Sequence, residues 1–92
     1  MELKQAREEI DKIDNEILQL AAKRLGIAKE IAEIKQKLNL PLGDRERESE
    51  LLQARIEKMQ ELGFEDKEFV RQLFAILMKK SKEIQTETME NK

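Results

Sequence analysis

From Leu3 to Leu38 the apolar residues recur in alternating steps of three and four: Leu3, Ala6, Ile10, Ile13, Ile17, Leu20, Ile27, Ile31, Ile34 and Leu38. Such steps line up on one seam of a helix. The pattern predicts a single first helix within residues 1–38, and at 1.5 Å per residue it is ~52 Å long. One seam position breaks the pattern, and it is Arg24, with Leu20 before it and Ile27 after it. A guanidinium stands where Ile or Leu is expected.

Asn39-Leu-Pro-Leu-Gly43 ends this helix, because Pro41 biases Leu40 away from helical dihedrals and Gly43 tolerates unusual ones. Asp44 is a natural N-cap for a second helix, residues 44–62, with Glu46 in the first turn favourable to the helix dipole. Leu51, Leu52, Ile56, Met59 and Leu62 form its stripe, and Gly63 terminates it. Asp66 caps a third helix, residues 66–87, whose stripe runs Val70, Leu73, Phe74 and Leu77, then Ser81, Ile84 and Thr88. It turns polar partway along, as the first one does at Arg24. After about Thr86 the chain reads as a fraying end.

A single proline, three glycines and 41% charged residues favour long helices with charged outer faces. The fold class expected is all-α, a three-helix chain with a very long first helix. With 92 residues there is room for one core, so residues 1–92 are read as a single domain. The second and third helices span only ~30 Å and ~33 Å. They cannot cover the first seam, and the simplest remedy is a homodimer in which two long helices run side by side and the shorter ones cover the ends. Ala21, Ala22, Gly26 and Ala28 permit close approach there.

There are 20 acidic and 18 basic side chains, and the net charge of -2 gives no global attraction to nucleic acid or to an anionic membrane. Any anion recognition has to be local. Cysteine and histidine are both absent, which removes disulfides, thiol nucleophiles, imidazole bases and the usual zinc ligands. Chemistry without a metal or cofactor is the expectation. The start, Met1-Glu-Leu-Lys-Gln-Ala-Arg7, has no apolar signal core, and no run approaches the length of a bilayer span. A cytoplasmic protein with no membrane or nucleic-acid partner is expected.

Lys35 flanks the seam ~16 Å along the axis from Arg24. Ser81 and Gln85, four apart, share one face of the third helix. Arg47 and Glu48 lie in the first turn of the second, where free backbone N–H groups also favour anions. Together these residues describe a pocket lined by cations and neutral donors. Each also has an ordinary reading: Arg24 paired with a glutamate across a dimer, Lys35 a solvated flank, Ser81 and Gln85 a polar patch, Arg47 with Glu48 a helix-start charge pair, Arg7 a surface cation.

Taken in order, the polar set resembles the all-helical chorismate mutases. "REEIDKIDNEILQLAAKRLGIAKEIAEIK" is similar to that family's first helix, with Arg7, the Ile10-Asp-x-Ile-Asp14 pattern, Arg24 and Lys35 at matching spacings. "PLGDRERE" resembles the start of its second helix, with Asp44 followed by Arg47 and Glu48, and "LFAILMKKSKEIQ" supplies Ser81 and Gln85. The resemblance implies that family's fold, an intertwined helical homodimer with two equivalent sites, each formed mostly by one chain and completed by one arginine of the other. Helix geometry agrees, since Arg7 and Lys35 lie ~42 Å apart on one helix and cannot share a site within one chain. An antiparallel partner centred near Leu18 to Ala21 brings its Arg7 opposite the stretch from Arg24 to Lys35.

The resemblance implies an isomerase that rearranges chorismate to prephenate, breaking a C–O bond as a C–C bond forms, for phenylalanine and tyrosine biosynthesis. It implies that Arg24 and the partner chain's Arg7 hold the carboxylates, that Arg47 and Ser81 complete the anion sites, and that the Asp44 backbone and Glu48 receive the ring hydroxyl. Lys35 and Gln85 donate to the ether oxygen as its charge grows. Arg45 and Glu46 are left to solvent, and Leu51, Ile31 and Met78 are candidate apolar walls. The third helix is more basic than the pattern requires, at Lys79 and Lys80, and no regulatory segment is evident. Two rivals remain: an isochorismate-pyruvate lyase sharing fold and pocket, and a noncatalytic dimeric helical module, in which Arg24 and Gln85 have no reason to converge.

Gln85 carries its own expectation, because an amide needs no proton in order to donate. Turnover of chorismate is predicted to be nearly flat between about pH 5 and 9, where lysine and arginine stay charged. A steep loss above about pH 6 in a rate profile contradicts the role of Gln85.

Overall fold

The computed structural model describes residues 1–90 and contains three helices, α1 (Leu3–Lys37), α2 (Arg45–Glu61) and α3 (Lys67–Glu90), with no strand among the described residues. The fold is all-α with a very long first helix, as the seam requires. α3 packs against both α1 and α2, whereas α1 and α2 make no close backbone approach to each other. A wedge of space is therefore left between them. No helix among the described residues is long and apolar enough to cross a membrane.

The turns follow from local chemistry. α1 ends where Asn39 takes a left-handed φ of 55°, with its N–H donating to the Gln36 carbonyl and that of Leu40 to the Lys35 carbonyl. These two bonds satisfy carbonyls that the helix end leaves free. The left-handed residue is thus Asn39 and not Gly43, because an asparagine directly after the last turn can take the position itself. Gly63 plays the same part after α2 with φ 97°, and there Phe64 N–H reaches the Met59 carbonyl at 3.0 Å. Asp44 Oδ1 accepts from Arg47 N–H at 3.0 Å and Asp66 Oδ1 from Phe69 N–H at 3.0 Å, so both aspartates cap as expected. α3 runs on to Glu90, past the expected fraying near Thr86, with Thr88 Oγ1 donating to the Ile84 carbonyl at 2.7 Å. The last two residues of that expected end, Asn91 and Lys92, lie outside the described residues.

The core uses a different face of α1 from the seam. Ala28 and Ala32 are buried, and Ala21, Arg24, Leu25, Lys35 and Gln36 are half-buried. Most of these follow a seam residue by one, a rotation of ~100° about the helix axis. Small side chains there let α3 lie close, so Ala28 serves contact within the chain instead of the dimer contact expected of it. From α2 and α3 the core receives Leu51, Ile56 and Val70, with Phe74 and Leu77 half-buried.

The seam itself is left open. Ile10 is 56% exposed, Ile17 56%, Leu20 65% and Ile34 54%. The shape matches: the radius of gyration is 16.4 Å and the extents are 54 × 25 × 15 Å, against ~12 Å for the radius of a compact chain of this length. Apolar surface of this extent along one line is the mark of an interaction face.

Candidate active site

The wedge between α1, the start of α2 and α3 encloses a cavity of ≈ 450 Å³. α1 lines it with Arg24, Ile31 and Lys35, the turn and α2 with Leu42, Asp44, Arg47, Glu48, Leu51 and Arg55, and α3 with Met78, Ser81, Lys82 and Gln85. Arg24, Lys35, Asp44, Arg47, Glu48, Ser81 and Gln85, singled out in the sequence, thus come together in one place with the three expected apolar walls. Arg7 does not join them. It is exposed near the start of α1, ~26 Å along the axis from Arg24.

Arg24 turns from the seam toward α3. Its Nη1 donates to Ser81 Oγ at 2.7 Å and reaches the Leu77 carbonyl at 3.5 Å. Ser81 Oγ donates in turn to the same carbonyl at 2.9 Å, so the hydroxyl proton is spent there and a lone pair faces the guanidinium. Burial first, then the positive charges of Arg55 and Arg47, lower the Arg24 pKa from its ordinary value. No carboxylate among the described residues forms an ion pair with it. Within the chain, then, Arg24 is not the partner of a glutamate.

Lys35 is half-buried, with Nζ donating to the Leu42 carbonyl at 2.8 Å. This bond ties the α1–α2 turn to the helix and stations the ammonium at the cavity, in place of a solvated flank. Glu48 pairs with Lys82 across to α3, not with Arg47 beside it. Arg47 and Arg24 accordingly keep their charges unmatched. Ser81 and Gln85 are both buried, which sets aside the reading of an ordinary polar patch. Gln85 Oε1 is buried without a hydrogen-bond partner.

Two lining cations escaped the sequence reading. Lys82 is exposed like Lys79 and Lys80 but lines the cavity, whereas Lys80 pairs with Glu83 at 3.6 Å. Arg55 was passed over although Arg47, Leu51 and Arg55 stand at steps of four on α2 and share a face. That spacing was the available signal. Arg45 and Glu46 are exposed and outside the cavity, as expected.

A three-helix chain that gathers unpaired cations around one concave, half-apolar space is built as a binding protein for a small organic anion. The sequence model of the family described as chorismate mutase type II matches residues 6–86, and the chain belongs to that family. It is 39% identical over 88 residues to a chorismate mutase of Methanocaldococcus jannaschii, a match covering 96% of this chain and 88% of the relative. It is 54% identical over 52 residues to the bifunctional chorismate mutase/prephenate dehydratase of Aquifex aeolicus, covering 56% of this chain but 14% of that larger protein. Among solved structures it is similar to a conserved hypothetical protein from Pyrococcus furiosus, with a TM-score of 0.72 and 42% identity over 90% of this chain and 93% of the other.

The orphaned Gln85 Oε1 carries a measurable cost, since a buried acceptor without a donor gives up its water for nothing. Gln85→Leu is expected to stabilise the free protein by roughly 1 kcal/mol in urea unfolding at fixed protein concentration. A destabilisation of the same size shows instead that the amide is satisfied in solution.

Proposed function

We propose that the protein is a chorismate mutase, an isomerase that converts chorismate to prephenate in aromatic amino acid biosynthesis, carried by a single domain over residues 1–92. The observation that carries this reading is the cavity of unmatched cations, Arg24, Lys35 and Arg47, in a chain of the chorismate mutase type II family. Chorismate is a dicarboxylate with a flexible enolpyruvyl arm. The rearrangement needs that arm folded over the ring, and it needs no nucleophile, base or redox group. The work left to the protein is positioning and electrostatic stabilisation.

In this reading Arg24 and Arg47 hold carboxylate oxygens, and Ser81 joins them by turning its hydroxyl proton from the Leu77 carbonyl to the ligand; planar guanidinium forks suit the task because they bind in two places at once. Glu48 and the Asp44 backbone receive the ring hydroxyl. Lys35 and Gln85 donate to the ether oxygen, whose negative charge rises as the C–O bond lengthens. These two act more strongly on the transition state than on the substrate, which is the condition for accelerating the step.

The site is completed by the partner's arginine in an antiparallel homodimer, in which Arg7 of one chain reaches the cavity of the other. The exposed seam of α1 and the place of Arg7 outside its own chain's cavity support this arrangement. A reducing, cytoplasmic setting belongs to the same reading, since a chain with no cysteine needs no oxidising compartment to fold.

The direct test is loss of chorismate absorbance with purified protein, followed by product analysis. Prephenate is the expected product, and pyruvate or no turnover overturns the reading. A preorganised donor at developing charge is worth ~3 kcal/mol, so Lys35→Ala is expected to lower kcat by at least about a hundredfold, with circular dichroism confirming the fold. Sedimentation at micromolar concentration is expected to give a dimer. A monomer retaining full activity overturns the shared site.

A further inference from the structure

Arg24, Lys35, Arg47 and Arg55 all line the cavity, and no carboxylate among the described residues forms an ion pair with any of them. The proposed function gives work to the first three. Arg55 is left over, and its setting is not that of a surface cation. It is half-buried on α2, one turn beyond the buried Leu51 and on the same face. Its guanidinium carbon lies 5.8 Å from the centre of the Phe74 ring on α3. A cation–π contact at this range draws the guanidinium toward the ring yet leaves its N–H groups free.

Those N–H groups find no acceptor among the described residues. Lys82 differs in this respect, because its ammonium is taken by Glu48. Arg55 also acts on Arg24: of the two like charges that lower the Arg24 pKa after burial, it has the larger effect, ahead of Arg47. Two guanidinium forks that repel across a partly desolvated space raise the energy of the empty protein. An anion seated between them removes that cost and satisfies donors on both sides.

We propose that Arg55 is a further substrate-binding residue, closing with Arg24 on one carboxylate of the bound dianion while the Phe74 ring holds its guanidinium at the cavity. The inference rests on the reading of the protein as a chorismate mutase. It predicts a binding effect more than a catalytic one, because a carboxylate keeps its charge through the rearrangement and a contact to it is made equally in ground and transition states.

Steady-state kinetics with chorismate on the parent, Arg55→Gln and Arg55→Lys test this, at low and at raised salt. Arg55→Gln is expected to raise KM about tenfold or more with kcat within about threefold of the parent, and to make the fall of kcat/KM with salt shallower. Arg55→Lys keeps the charge and loses the fork, and is expected to raise KM by roughly threefold or more. A raised KM with unaltered salt dependence assigns Arg55 a structural role and overturns the proposal. An active parent whose Arg55→Gln variant keeps KM within about twofold overturns it too. Should Arg55→Gln not fold, the lysine variant decides, and an unchanged KM there is the overturning result. An inactive parent is a different failure, since it removes the chorismate mutase reading itself.

Discussion

The contact on which the site depends is the hydrogen bond from Arg24 to Ser81. It draws a guanidinium off the apolar seam of α1, lays it against α3 and holds it there without a neutralising carboxylate. A half-buried cation in that state is costly, and the cost is offset only in part by Ser81 Oγ and the Leu77 carbonyl. The remaining deficit is what gives the cavity its use. Energy held in desolvation and in repulsion from Arg55 and Arg47 is released when an anion enters. Because these cations already stand at the cavity in the empty protein, less of the binding energy goes to ordering side chains.

The chain that holds this cavity buries little apolar surface of its own. Its buried apolar set is Ala28, Ala32, Leu51, Ile56 and Val70, and two of those five are alanines. Against this, the seam exposes one Ile or Leu after another, each worth ~1.5–3 kcal/mol on full burial. The larger apolar payload therefore faces away from the chain's own core. In the dimer proposed above a second copy covers it, since an antiparallel pair of identical seams is self-complementary.

The fold was legible because its signals are local and periodic. Steps of three and four marked α1, and Asp44, Gly63 and Asp66 marked turns whose chemistry is fixed by one residue each. Most of the cavity was legible too, since Arg24, Lys35, Ser81 and Gln85 interrupt apolar patterns that otherwise run on. What stayed hidden depended on packing across helices. Seam spacing does not reveal that Ala28 and Ala32 face α3, because a stripe of alanines one position off the seam is weak in any apolar pattern. Lys82 was masked by Lys79 and Lys80, which have the same chemistry and differ only in direction. Arg55 was masked by the many exposed charges around it, and only the half-burial beside Phe74 sets it apart.

One geometric relation joins these observations. Seam and core stripe lie on the same helix about one residue apart, and one residue is ~100° of rotation. The seam of α1, which includes Arg24 itself, thus runs directly beside the stripe that places Lys35 at the cavity. A roll of α1 that improves the packing of Ile17 and Leu20 on a partner also moves the Arg24 guanidinium relative to Ser81, where the bond is 2.7 Å and tolerates little displacement. If the chain pairs as proposed above, association and anion binding are coupled through a rigid element, with no side chain needed to relay between them. On the dimer proposed above, covering the seam fixes the roll of the long helix, and that fixes the distances among the cations.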